Sequence, residues 1–139
     1  IVFQKGRFNY QSIQKEMRNQ SQINVEEFKA KKWYMTLWEM NNVMPGSVLE
    51  KGIAAFPEEL AYRAIKLFSY KGETVLDPFM GSGTTMKIAR QLDRNSVGIE
   101  IKRTLVRIVK KKAGFGNGCK TSDTFELILR NRGEYGYIS

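Results

Sequence analysis

The chain has 139 residues, with 23 Lys+Arg against 14 Asp+Glu, no histidine and a formal charge of +9. Its length suits one modest domain, and 42% hydrophobic with 27% charged residues is an ordinary soluble globular balance. No apolar run approaches the roughly 20 residues that span a bilayer, and no secretory signal pattern opens the chain. The single cysteine, Cys119, cannot form an internal disulfide. Without histidine there is no Cys/His zinc cluster, no histidine acid–base chemistry and no Ser-His-Asp or Cys-His arrangement. Any catalysis must use carboxylates, amides, hydroxyls, lysine or a cofactor. The positive surplus favours polyanions through phosphate neutralisation, and equally suits a solvated basic surface; charge alone does not separate the two. The first residue is Ile1, so the natural start is expected elsewhere.

In chain order, Ile1-Val2-Phe3 reads as the end of a strand closed by Gly6. Residues 7 to 32 are rich in Gln, Asn, Lys and Arg, with short polar helices predicted at 12–18 and 24–31. Asn24 with Glu27 resembles a capping box. Trp33 and Trp38 interleave with Lys31 and Lys32; they either stack on bases or anchor this arm to the main body, and packing mass favours the anchor. Pro45-Gly46 marks a turn. Residues 1–50 therefore read as a polar, basic arm, candidate target-recognition material, and residues 51–139 as an α/β domain portion.

In that portion Pro57 suits the first turn of a helix, with Glu58 and Glu59 favoured by its dipole. Leu60, Ala61, Ala64, Ile65 and Phe68 share one helical face, and Lys71-Gly72 closes the segment. Thr74-Val75-Leu76 is a short buried strand leading to Asp77. A Gly81-Ser82-Gly83 loop, a helix over 84–92 and a strand at 96–99 follow. A basic amphipathic helix is predicted over 102–112, then a flexible connection at 114–118 and a third strand over 124–129. This order predicts βαβ units, hence a parallel sheet with flanking helices.

The chemistry gathers in Val75-Leu76-Asp77-Pro78-Phe79-Met80-Gly81-Ser82-Gly83-Thr84-Thr85. A strand delivers Asp77 at its carboxyl end, where open parallel sheets bind ligands. Gly81 and Gly83 permit a tight turn and close ligand approach. No Gly-Lys-Ser/Thr of a phosphate loop occurs here, and Met86 stands where a dinucleotide fingerprint has its third glycine. A carboxylate beside the turn repels phosphate and suits a cationic ligand. Glu100 ends the next strand, where an acid can hydrogen-bond the hydroxyls of a ribose. A nucleoside with a positively charged tail, such as S-adenosylmethionine, fits this pattern.

The Asp77–Thr85 stretch resembles motif I of the S-adenosylmethionine-dependent DNA amino-methyltransferases, which modify N4 of cytosine or N6 of adenine. Ala55-Phe56-Pro57-Glu58-Glu59-Leu60 resembles their motif X, which precedes motif I in permuted members, and Gly98-Ile99-Glu100-Ile101 resembles motif II. Leu37-Trp38-Glu39-Met40 is similar to the tryptophan segment ahead of motif X. The resemblance implies part of a Rossmann-like methyltransferase fold, DNA as partner and a cytoplasmic location. It implies that Phe56 and Pro57 line the methionine end of S-adenosylmethionine. Asp77 and the backbone around Phe79, Gly81 and Gly83 would hold its amino-acid moiety, with hydroxyl contacts from Ser82 and Thr84. Glu100 would bind the ribose and Ile101 would flank the adenine. Core packing is the competing role for Phe56 and Ile101.

The family's catalytic Asp/Asn/Ser-Pro-Pro-Tyr/Phe motif is absent, since none of the three prolines is adjacent to another. The expectation is a cofactor-binding portion with no catalytic residue and no metal of its own, the catalytic motif lying upstream or on a partner chain. An RNA guanine-N2 methyltransferase fragment and a non-catalytic cofactor- or DNA-binding regulatory subunit are the alternatives. Lys5, Arg7, Lys15, Arg18, Lys31, Lys32 and Lys110–Lys112 are candidate phosphate contacts or simply solvated charges.

Overall fold

The computed structural model describes residues 13–41, 43–44, 55–115 and 123–128. The strand expected at Ile1-Val2-Phe3, the turn at Pro45-Gly46 and residues 116–118 of the glycine-rich connection lie outside those residues. Two polar helices come first, α1 (Lys15–Gln20) and α2 (Val25–Ala30). Asn24 caps α2, its Oδ1 accepting the Glu27 N–H at 3.0 Å. The expected reciprocal bond is not made, because the Glu27 carboxylate is drawn to Lys31 at 3.1 Å and accepts from the Tyr62 hydroxyl at 3.4 Å.

Neither helix buries a residue of its own, so both depend on the aromatic segment that follows. Trp33 is 3% exposed. Its ring meets Tyr62 edge-on at 5.9 Å and Phe28 at 6.2 Å. The Trp38 indole donates to the Trp33 carbonyl at 3.2 Å, and the Arg63 guanidinium lies 5.2 Å above the Trp38 ring. Charges add to the fastening: Lys31 also reaches Glu59 at 3.3 Å, and Lys66 reaches Glu27 at 3.6 Å. Burial pushes the Glu27 carboxyl up, but the Lys31 hydrogen bond and the Lys66 charge outweigh it and leave it below its usual range. The hydrogen bond to Glu27 raises Lys31 in turn. Lys31 is thus an arm fastener and not an uncommitted phosphate contact.

The Trp33 indole N–H is buried without an acceptor among the described residues, which sets up a paired prediction. Trp33→Ala removes the ring, a loss of about 3–5 kcal/mol for a large aromatic, partly offset by deleting an unsatisfied donor worth about 1–3 kcal/mol. A net loss of about 2 kcal/mol is expected in denaturant unfolding. Trp33→Phe keeps most of the ring and deletes the same donor, so it should unfold within about 1 kcal/mol of the parent.

The main body begins with α3 (Glu58–Phe68). Pro57 stands one position earlier than expected, as the extended N-cap residue. Of the predicted apolar face, Ala61 and Ile65 are buried, but Leu60 and Phe68 are exposed and Arg63 is buried in their place. Arg63 pairs with Glu59 at 2.9 Å beneath Trp38, so the arm covers a polar flank of the helix. Strand β1 (Thr74–Asp77), helix α4 (Thr84–Gln91) and strand β2 (Asn95–Gly98) follow. The strands pair in parallel, from Thr74 opposite Asn95 to Asp77 opposite Gly98. The expected 102–112 helix divides into a 3-10 turn at Arg103–Leu105 and α5 (Val106–Lys112). Buried Arg94 donates to the Ser69 hydroxyl and carbonyl and to the Leu92 carbonyl, tying the end of α3 to the start of β2.

The core joins Ala61 and Ile65 of α3 to Ile88 and Ala89 of α4, with Phe56, Tyr62, Val75 and Leu92 packed around them. These helices cover one face of the sheet. On the other face Leu76 is 62% exposed, Val97 51% and Ile99 57%. The expectation of a fully buried β1 is therefore corrected: in a two-stranded sheet only one side has a cover. The expected third strand is corrected too. Residues 123–128 form no strand, since among the described residues none pairs with them in a ladder. They are held by side chains instead, Arg90 to Asp123 at 2.8 Å and Phe115 against Phe125 at 5.4 Å. Among the described residues no helix is long and apolar enough to cross a membrane.

Candidate functional site

The parallel register places Asp77 at the carboxyl end of β1 and Glu100 just beyond β2, with residues 78–83 looping between them. The ladder continues past the strands: the Ile99 N–H donates to the Asp77 carbonyl at 2.9 Å, and the Met80 N–H to the Ile99 carbonyl at 3.0 Å. This stitches the first part of the loop to the chain that carries Glu100. Gly98 makes it possible, since a Cβ there would collide with the Met80 sulfur.

Each carboxylate oxygen accepts one bond from the protein. Asp77 Oδ1 accepts from the Phe79 N–H at 3.0 Å, and Oδ2 from the Thr85 hydroxyl at 2.6 Å. Glu100 Oε2 accepts from the Gly81 N–H at 2.9 Å, and Oε1 from the Lys102 N–H at 2.7 Å. Both acids hold the same loop, one at Phe79 and one at Gly81. A carboxylate has about four acceptor sites, so each retains capacity for a ligand donor.

The backbone amides expected to hold a ligand are already engaged. Those of Phe79 and Gly81 serve the two acids, and that of Gly83 donates to the Met80 carbonyl at 2.9 Å. Ser82, Gly83 and Thr84 are buried, and Ser82 and Gly83 meet α5. Ser82 Oγ accepts from Lys112 Nζ at 2.9 Å. Gly83 has φ 84°, and a Cβ on it would lie 3.1 Å from a Val109 methyl. Their side of the loop anchors it to the body. Phe56 packs on the core and Pro57 caps α3. The side chains of Phe79 and Ile101 are 89% and 83% exposed.

The structure thus brings Asp77, Phe79, Gly81, Glu100 and Ile101 to one open shelf, and sets Phe56, Ser82, Gly83 and Thr84 into the supporting structure. Two cavities of about 280 and 200 Å³ lie elsewhere, one beside Arg90 and Lys112 and one beside Ser21 and Arg94. No group of three metal-ligating side chains occurs among the described residues. Thr85 and Val109 take part without having been assigned a role from the sequence, and Lys112 takes part in a role other than the phosphate contact or solvated charge expected of it. Only Thr85 lies within the recognised motif; the other two come from a distant helix. Of the candidate phosphate contacts, Lys112 is committed to Ser82, and Lys110 lies 6.0 Å over the Phe125 ring.

A parallel βαβ unit with an acid at the end of each strand and a glycine turn between them has the arrangement at which open α/β sheets take ligands, the carboxyl ends of adjacent strands. The chain belongs to the N6/N4 DNA methylase family, whose sequence profile matches residues 1–111. It is similar to the type II methyltransferase M.MjaI of Methanocaldococcus jannaschii, 38% identical over 96% of this chain and 43% of that protein. Similarity to M.MthZI of Methanothermobacter thermautotrophicus is 34%, over 88% of this chain and 37% of the other. The chain therefore spans about two fifths of these relatives. Among solved structures it resembles TTHA0409 of Thermus thermophilus, described as a DNA modification methylase and crystallised with S-adenosyl-L-methionine. The TM-score is 0.60 at 29% identity, over 77% of this chain and 39% of that one.

Proposed function

We propose that this chain is the cofactor-binding portion of a DNA amino-methyltransferase of permuted order. The carrying observation is the pair of locked carboxylates, Asp77 and Glu100, at the ends of two adjacent parallel strands. The donor set suits S-adenosylmethionine: a carboxylate for its ammonium, an acid for its ribose hydroxyls, and exposed apolar side chains for its adenine. Asp77 would hold the amino-acid end, Glu100 the ribose, and Ile101 with Phe79 the base. When bound, the cofactor supplies an electrophilic methyl group on a sulfonium sulfur. The acceptor is N6 of adenine or N4 of cytosine in DNA, and the proton displaced from that amine leaves to the catalytic loop or to water.

That loop is not in this sequence, which has no adjacent prolines. The Pro-Pro-Tyr/Phe motif therefore belongs to an upstream segment or a partner chain. The bare Leu76, Val97 and Ile99 face supports this division, because parallel sheets are stable when both faces are covered. Residues 51–139 would form the cofactor portion, and residues 1–50 would lead to it from the target-recognition part.

The test is methyl transfer from radiolabelled S-adenosylmethionine to DNA. The chain alone should remain at background, and pairing it with the Pro-Pro-Tyr/Phe portion of the fold should produce turnover. Enzyme-like methylation by the chain alone would overturn the division. Transfer to RNA and not DNA by the paired form would move the substrate.

A further inference from the structure

We propose that Thr85 is a positioning residue that aims the Asp77 carboxylate at the cofactor's ammonium group. This rests on the cofactor site proposed above and adds a residue to it.

Four donors fix the two acids of the shelf. Three are backbone amides, those of Phe79, Gly81 and Lys102. Only the Thr85 hydroxyl is a side chain. A backbone amide survives substitution, so Thr85 is the one place where the locking of these acids depends on residue identity. Asp77 needs the second donor. With Oδ1 alone held by the Phe79 N–H, the carboxylate can still swing about that bond; with Oδ2 held as well, both side-chain torsions are set.

The hydroxyl has one proton, and an ionised carboxylate only accepts, so Thr85 must be the donor. At 2.6 Å the bond lies in the short range of charge-assisted O–H···O contacts. A helical threonine commonly spends that proton on a carbonyl of the preceding turn; Thr85 spends it on Asp77. Its position is rigid, because Met86, Ile88 and Ala89 of the same helix are buried against the body. Without the hydroxyl, the first-turn amides of α4, which have no acceptor within their own helix, compete for a released carboxylate and turn it from the shelf.

The experiment is calorimetric titration of the chain with S-adenosylmethionine and with 5′-methylthioadenosine, which keeps the nucleoside but lacks the amino-acid end. Thr85→Val keeps the shape and deletes the donor. It should weaken S-adenosylmethionine binding about tenfold, the scale of one hydrogen bond to a charged group, and leave methylthioadenosine binding unchanged. Thr85→Ser should restore affinity to within about threefold of the parent. Equal losses for both ligands would reduce Thr85 to a structural residue and overturn the proposal. So would an unchanged S-adenosylmethionine affinity in Thr85→Val while Asp77→Ala loses it, and that result would leave the cofactor site standing. No binding by the parent chain, or full binding by Asp77→Ala, would remove the cofactor site and this inference with it.

Discussion

Asp77→Ala should weaken S-adenosylmethionine binding about a hundredfold, the scale of losing a hydrogen bond to a charged group together with the charge itself. The carboxylate is half-buried at the end of β1, oriented by the Phe79 amide and the Thr85 hydroxyl. It supplies the negative charge that distinguishes this shelf from a phosphate site. Stability should change by less than about 1 kcal/mol, because the exposed Phe79 amide finds water when its acceptor is removed. Asp77→Asn separates charge from shape. Its amide oxygen can still accept from Phe79, and its nitrogen obliges Thr85 to accept instead of donate. Isothermal calorimetry with thermal unfolding as control reads both variants. Affinity retained in Asp77→Asn and lost in Asp77→Ala would assign the residue to holding the loop, and parent-like affinity in both would remove it from the site.

Gly83→Val should cost about 4 kcal/mol and leave the fold only marginally stable at room temperature. Two effects add. A left-handed conformation costs an L-residue about 1–2 kcal/mol, and Gly83 sits at φ 84°. Overpacking a filled interface costs about 1–3 kcal/mol, and the new Cβ alone would stand 3.1 and 3.3 Å from the two Val109 methyls. Native domains hold only about 5–15 kcal/mol in reserve, and a sheet with one bare face belongs at the low end. Gly83→Ala meets the same strain with fewer atoms and should lose about 2 kcal/mol. Urea unfolding decides the matter: an alanine variant within about 0.5 kcal/mol of the parent would show that neither strain nor packing matters at this turn.

Together the two variants separate the jobs within one motif. Asp77 and Glu100 face outward with capacity for a ligand, while Ser82, Gly83 and Thr84 fasten the loop to the body. Lys112 extends that fastening from α5, at 2.9 Å from Ser82. Among the described residues the sheet has two strands, and the apolar Leu76, Val97 and Ile99 on its other face are exposed.

Much of this was legible in the sequence. The order of helix, strand, glycine loop, helix and strand follows from local periodicity and turn chemistry, which depend on residues a few positions apart. The same holds for the Asn24 cap and for an acid at the end of each strand. What the tertiary structure decided are relations between residues far apart in the chain. Thr124–Leu129 has strand composition, but a strand exists only where a neighbour supplies its ladder. Leu60 and Phe68 have helical spacing, but which flank is buried depends on where Trp38 and Glu59 place Arg63. Lys31 reads as a free charge until Glu27 and Glu59 arrive beside it. Ser82 shows no partner in the sequence, and α5 brings Lys112 to its hydroxyl at 2.9 Å. Composition and spacing determine which groups are present and which way the backbone turns. Only packing determines which donor meets each acceptor, because a hydrogen bond acts across about 3 Å in space regardless of distance along the chain.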